Sequence, residues 1–159
     1  MIFITLGSQK FQFNRLLKAV DELMAEGKVT EKVFAQIGYS DYKPQNYSYK
    51  EFLDREKFSD AMSEADIVIT HGGTGAIIGA VKKGKKVIAV PRLAAYGEHV
   101  DDHQLQLVEQ FKELNLICDC LDCSELESAL KYVKETQFNE YESNTKTIID
   151  SIEEFLMEI

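Results

Sequence analysis

Residues 71–75, His71-Gly72-Gly73-Thr74-Gly75, combine an imidazole, a hydroxyl and three glycines. Glycines let a backbone approach an anion closely, and a helix starting there would turn free N–H groups and the positive end of its dipole toward it. The same turn also serves as a tight strand-to-helix connection that needs glycine only for its backbone angles. Three glycines in four positions beside Thr74 favour the anion. In this reading a valine at Gly73 blocks the anion and spares the fold. No Gly-Lys-Ser/Thr follows, so this is not the nucleotide-kinase loop, and the spacing is not that of the dinucleotide fingerprint.

Two further groups carry polar chemistry. Gly7-Ser8 follows the first apolar run and is either an ordinary turn or a ligand contact. Residues 98–104, Glu98-His99-Val100-Asp101-Asp102-His103-Gln104, hold two imidazoles, three carboxylates and an amide. They read either as a solvated loop, with Asp101 or Asp102 capping the next helix, or as a set able to bind sugar hydroxyls. The three cysteines, Cys118, Cys120 and Cys123, have no fourth ligand nearby for zinc. Cys118 and Cys120 fall on one face of a strand, the buried one. No metal and no cofactor is expected.

Alternating patterns position these groups. Strands are predicted at 2–6, 32–37, 47–52, 66–70, 86–90 and 116–119. Helices are predicted at 13–26, 54–65, 74–83, 102–113 and 142–158, with one more from Ser124 to about 134 that uses Glu127 in a capping box. Strands alternating with helices imply an α/β fold: a single Rossmann-like domain over 1–159 whose mainly parallel sheet is covered by helices on both faces. Ligands of such sheets bind beyond the carboxyl ends of the strands. The loops at 7–12, 71–75 and 92–103 all follow strands and would converge there.

With 18 basic against 27 acidic residues, the net charge is −9. That balance argues against nucleic acid as a partner, though local amides can still hold a small anion. No apolar run approaches the ~20 residues that span a bilayer, and the apolar start lacks a basic n-region. A cytoplasmic protein is expected.

The chain resembles the donor-binding C-terminal half of GT-B glycosyltransferases, specifically the glycosyltransferase family 28 C-terminal domains. It resembles more closely the small stand-alone subunits of split enzymes, which act on dolichol-linked acceptors or in bacterial capsule and exopolysaccharide synthesis. The resemblance is carried by 4–8, 65–75, 84–91 and 102–104, and covers nearly the whole chain. It implies a UDP-sugar as substrate, with Gly72, Gly73, Thr74 and Gly75 facing the diphosphate beside His71, and Gly7 and Ser8 closing over the phosphates. His103 and Gln104 match the pair near the donor sugar. It also implies a membrane-associated partner subunit that binds a lipid-linked sugar acceptor and recruits this chain to the cytoplasmic face of the membrane. Glu98 and His99 are candidate general bases, unless the partner supplies the base. Related single-chain enzymes often carry a ribose-binding glutamate where Gly79 stands here. A non-catalytic enhancer of a glycosyltransferase and a free-standing nucleotide or phosphate sensor are the other readings.

Overall fold

The computed structural model describes residues 1–7 and 9–142. Ser8 lies outside the described residues, as does all but the first residue of the helix expected over 142–158.

The strands are β1 (Ile2–Thr5), β2 (Val33–Gln36), β3 (Ser48–Lys50), β4 (Ile67–His71), β5 (Lys86–Val90) and β6 (Cys118–Asp119). They form one sheet in the order β3-β2-β1-β4-β5-β6, and every pairing is parallel. The helices are α1 (Asn14–Ala25), α2 (Arg55–Glu64), α3 (Thr74–Lys82), α4 (His103–Glu113) and α5 (Leu126–Glu135).

Period-two alternation divides the strand side chains between two cores. Ile2, Ile4, Ile67, Ile69, Ile88 and Val90 pack beneath α1 and α5, against Leu16, Leu17, Val20, Leu126, Leu130 and Val133. Phe3, Val68, Val87 and Ala89 pack on the other face, against Met62, Ile77, Ala80, Val108 and Phe111 of α2, α3 and α4. With helices on both faces, the central strands are apolar at nearly every position. Cys118 and Cys120 belong to the first core. Burial pushes their thiols up to about 11 and about 12, which leaves little thiolate at neutral pH.

The chain builds β2 and β3 on one side of β1, then returns to build β4, β5 and β6 on the other. β1 and β4 are therefore neighbours whose following helices lie on opposite faces, the switch point at which sheets of this kind leave a crevice beyond the carboxyl ends of their strands. Thr5 is level with Thr70, and Thr70 Oγ1 donates to the Thr5 carbonyl at 2.9 Å.

The parallel step from β2 to β3 uses a loop in place of a helix. A buried carboxylate on α1 pins that loop. Asp21 accepts from Tyr42 Oη at 2.6 Å, from the Gln45 N–H at 2.9 Å and from the Asn46 N–H at 2.8 Å. The capping box expected at Ser124 does not form. A 3₁₀ turn over Cys123–Glu125 precedes α5, and Asp122 caps it by accepting from the Ser124 N–H at 2.9 Å. An aspartate reaching two residues forward makes this local bond readily, and Glu127 pairs with Lys131 instead, at 3.4 Å.

Candidate functional site

Gly7 stands two residues beyond the end of β1, at a φ of +72° that suits glycine. β4 ends beside it at His71. A Cβ on Gly7 would come 2.7 Å from His71 Nε2. The imidazole therefore fills the space a side chain at position 7 would need.

The next two glycines also make room for the protein's own side chains. A Cβ on Gly72 would come 2.7 Å from Gln104 Cβ, and one on Gly73 would come 2.2 Å from His71 Cε1. This corrects the expectation that a valine at Gly73 would spare the fold. Gly75 differs from both: it is exposed, and a Cβ there would meet nothing within 4 Å.

Gly73 is the N-cap of α3, in an extended conformation with no side-chain cap. No acidic residue occupies the first turn of α3. Its positive end thus meets the crevice without a carboxylate from that turn. Thr74 opens the helix and is half-buried.

α4 begins next to α3. Asp101 accepts from the His103 N–H at 3.0 Å, while Asp102 accepts from the Ala94 N–H at 2.9 Å. Of the expected pair near the sugar, His103 is half-buried at the start of α4. Gln104 is 3% exposed and turned inward. Its Oε1 accepts from the Gly72 N–H at 3.0 Å and the Arg92 N–H at 3.1 Å, and its Nε2 lies 3.2 Å from His71 Nδ1. This amide ties the ends of β4 and β5 together and does not project into the crevice as a sugar reader would.

His71 is 6% exposed. Burial first, then the Arg92 guanidinium, pushes its pKa down to about 4, against a smaller opposing effect from Gln104. The ring is therefore uncharged at neutral pH.

The segment after β5 is held by buried charge. Arg92 is 1% exposed. Its Nη2 donates to the Leu6 carbonyl at 2.6 Å, and its Nη1 to the carbonyls of Phe11 at 3.0 Å and Glu98 at 3.2 Å. Burial lowers its pKa to about 10, against the attraction of Glu98. Glu98 is closed off from solvent. Its Oε1 accepts from Arg15 Nη2 and the Leu93 N–H, both at 3.0 Å, and its Oε2 from Arg15 Nε at 3.0 Å. With both oxygens engaged, Glu98 acts as a clamp, which corrects its candidacy as general base. His99 remains near the loop after β1: its ring lies 5.6 Å from Phe11, and its Nδ1 is 3.2 Å from Asp101 Oδ1.

The fold thus gathers Gly7, His71, Gly72, Gly73 and Gln104 in contact, with Thr74, Gly75 and His103 on the adjoining first turns. Arg15 and Arg92, which organise the loops, carried no motif signal. The one available clue was an arginine directly after a buried strand and Pro91. A groove of about 810 Å³ lies at the opposite, amino end of β5, lined by residues 81–86 and 134–141. It has lysines but no turn comparable to 71–75. No metal-binding cluster occurs among the described residues, and no helix among them is long and apolar enough to cross a membrane.

Residues 1–158 match the glycosyltransferase family 28 C-terminal domain. Over 128 residues, 75% of this chain, the sequence is 30% identical to the human UDP-N-acetylglucosamine transferase subunit ALG13, of which the match covers 11%. Among solved structures, the solution structure of ALG13 superposes with a TM-score of 0.63 at 17% identity, over 98% of this chain and 96% of that one. The calicheamicin glycosyltransferase CalG4 gives a TM-score of 0.63 at 17% identity, over 99% of this chain but only 38% of the enzyme. The chain therefore spans a small part of the human relative and well under half of that enzyme.

Proposed function

From the premise that this chain belongs to the glycosyltransferase family 28 C-terminal domains, we propose that it is the UDP-sugar-binding subunit of a two-component glycosyltransferase. The observation that carries this reading is the convergence of Gly7, His71 and the start of α3, whose N-cap is a glycine and whose first turn holds no acidic residue, at the crevice between β1 and β4. A nucleoside diphosphate gains negative charge as its bond to the sugar breaks. Oriented N–H groups at a helix start stabilise that charge without reorganising during the reaction. In this reading the diphosphate lies along Gly75 and Thr74, and His103 reaches the sugar.

The human relative is named a subunit, and the matched family is described as a C-terminal domain. Carried to this chain, the acceptor half resides on a second, membrane-associated polypeptide. That partner holds a lipid-linked sugar and recruits this chain to the cytoplasmic face of the membrane. It also excludes water from a crevice that is open on one side. The general base is His99 or a group from the partner. Transfer of N-acetylglucosamine is the first donor to test, with other sugars of capsule or exopolysaccharide synthesis next.

The test is calorimetry of the chain with UDP and competing UDP-sugars, followed by a transfer assay on a lipid-linked acceptor with and without the partner. Expected are UDP binding by the chain alone and transfer only on reconstitution. A folded chain that binds no UDP in either state sinks the donor-site reading. Full turnover by the chain alone sinks the two-component reading.

A further inference from the structure

Two donors converge on His71 Nδ1: the Gly73 N–H at 3.1 Å and Gln104 Nε2 at 3.2 Å. The orientation of the Gln104 amide is fixed by its other end. Oε1 receives the N–H groups of Gly72 and Arg92, so the NH₂ group must face the imidazole. A protonated ring nitrogen has no lone pair to accept either bond. Nδ1 is therefore the bare nitrogen, shared by both donors, and the ring proton sits on Nε2. Nε2 faces the gap between the two loops. Side chains built at Gly7 and Gly73 would come within 2.7 Å and 2.9 Å of it.

We propose that Gln104 is a positioning residue that fixes His71 as a neutral Nε2–H donor aimed at the donor diphosphate. The proposal rests on the donor-site reading above. In water a neutral imidazole exchanges between two tautomers, and one of them would turn a lone pair toward the phosphate oxygens. Here the two donors permit only the other, so the N–H is oriented before the ligand arrives. Burial and the Arg92 charge already keep the ring uncharged, with His99 a weaker neighbour acting in the same direction. What Gln104 adds is a second donor, from a side chain, that selects the same nitrogen as the Gly73 N–H and holds the ring against it. The same bonds explain why this amide lies inward while His103 stays half-exposed.

Long-range ¹H–¹⁵N spectra of the full chain, with His71 and Gln104 assigned, read this arrangement directly. Expected at neutral pH are a single Nε2–H form and a scalar coupling across the Gln104 Nε2–H···Nδ1 bond. An Nδ1–H form, a tautomer mixture or absence of that coupling overturns the proposal. Gln104→Glu supplies a sharper arm. Its carboxylate still accepts from Gly72 and Arg92 but presents an oxygen to Nδ1. It should draw a proton onto Nδ1 and raise the His71 titration midpoint by about one pH unit or more. A folded Glu variant with the tautomer and midpoint of the wild type overturns the assignment, whereas a purely structural bracket would leave both unchanged. If that variant does not fold, the wild-type coupling decides alone. Titration with UDP should shift the Nε2–H resonance and leave Nδ1 bare. UDP that binds by calorimetry without moving that resonance overturns the positioning role and leaves the donor site standing. If no UDP binds while the Nε2–H form is fixed, the donor-site reading fails, and with it the target of the proton.

Discussion

The turn after β4 and the segment after β5 sit side by side at the carboxyl edge of the sheet and are built from different materials. Between β4 and α3 stand only Gly72 and Gly73, shaped by the side chains they lack. Between β5 and α4 run residues 91–102, held by Arg92 at 1% exposure and Glu98 at 0%. The turn presents backbone and a helix start whose N-cap is a glycine. The segment satisfies its backbone with guanidinium and carboxylate groups reaching back to the loop after β1. The first arrangement can lose its ligand and keep its fold. The second cannot lose its clamp without loosening both loops.

The largest expected effect comes from breaking that clamp. Arg92→Met leaves the carbonyls of Leu6, Phe11 and Glu98 without their donor in a buried setting. Stability should fall by about 3 kcal/mol or more, read from urea unfolding. A cost below about 1 kcal/mol would remove the distinction drawn between the two regions.

Acid sharpens the comparison next. His71 has its pKa pushed to about 4 from an ordinary 6.5, so on acidification the unfolded chain takes up the proton first. Its contribution is intact above 6.5 and is lost as pH falls toward about 4, a change of about 3 kcal/mol. Asp21 acts in a lower window. Burial raises its pKa, but the bonds from Tyr42, Gln45 and Asn46 outweigh burial and hold it below 3.8. Its contribution is present above 3.8 and is lost as pH falls below that value. Urea unfolding across pH should therefore show two steps. His71→Gln should flatten only the upper one and Asp21→Asn only the lower. If His71→Gln leaves the upper step unchanged, the imidazole is not the group responsible.

Within the glycine turn, a pair of valines separates ligand from fold. At Gly73 a side chain collides with His71, so the variant should lose both stability and binding. At Gly75 it meets open space, and valine is no worse than glycine in a helix. Gly75→Val should keep stability within about 1 kcal/mol and weaken UDP by about tenfold or more. Unchanged UDP affinity in the folded Gly75 variant would move the diphosphate away from the start of α3.

How much of this could be read in the sequence follows the same division. The strands and the glycine turn were legible because local pattern dictates them: short apolar runs rich in β-branched residues make β1, β4 and β5, and glycines mark the turn. The parallel sheet followed from the alternation of strands and helices. The resemblance brought Gly7, His71 and Gln104 to one site before any contact was known. What Gln104, Glu98 and Gly73 do there was not legible, because it depends on partners 2 to 83 residues away in the chain. A buried arginine bonding four carbonyls leaves no periodicity. The boundary near Ser124 was misread because Asp122, two residues earlier, is the better acceptor.

The smallest expected effect tests how far the ligand extends along α3. Gly75 and Gly79 are four residues apart and share a face of the helix. A nucleotide whose diphosphate lies at Gly75 would bring its ribose toward Gly79, where a Cβ would meet nothing within 4 Å. Related single-chain enzymes resembling this one often carry a glutamate at the corresponding position. Gly79→Ala should stabilise the helix by about 0.5–1 kcal/mol and leave UDP affinity unchanged. Gly79→Glu should also favour the helix and add a carboxylate able to accept from ribose hydroxyls. A net hydrogen bond of this kind corresponds to about a threefold to tenfold gain in affinity. The added negative charge opposes the diphosphate, so the gain should sit at the lower end. Calorimetry with UDP and with a 2′,3′-dideoxy analogue isolates the hydroxyl contact: the gain over the alanine variant should appear with UDP and vanish with the analogue. Equal UDP affinity in the two variants would place the ribose off this face of α3, and the ligand would then meet the helix only at its first turn.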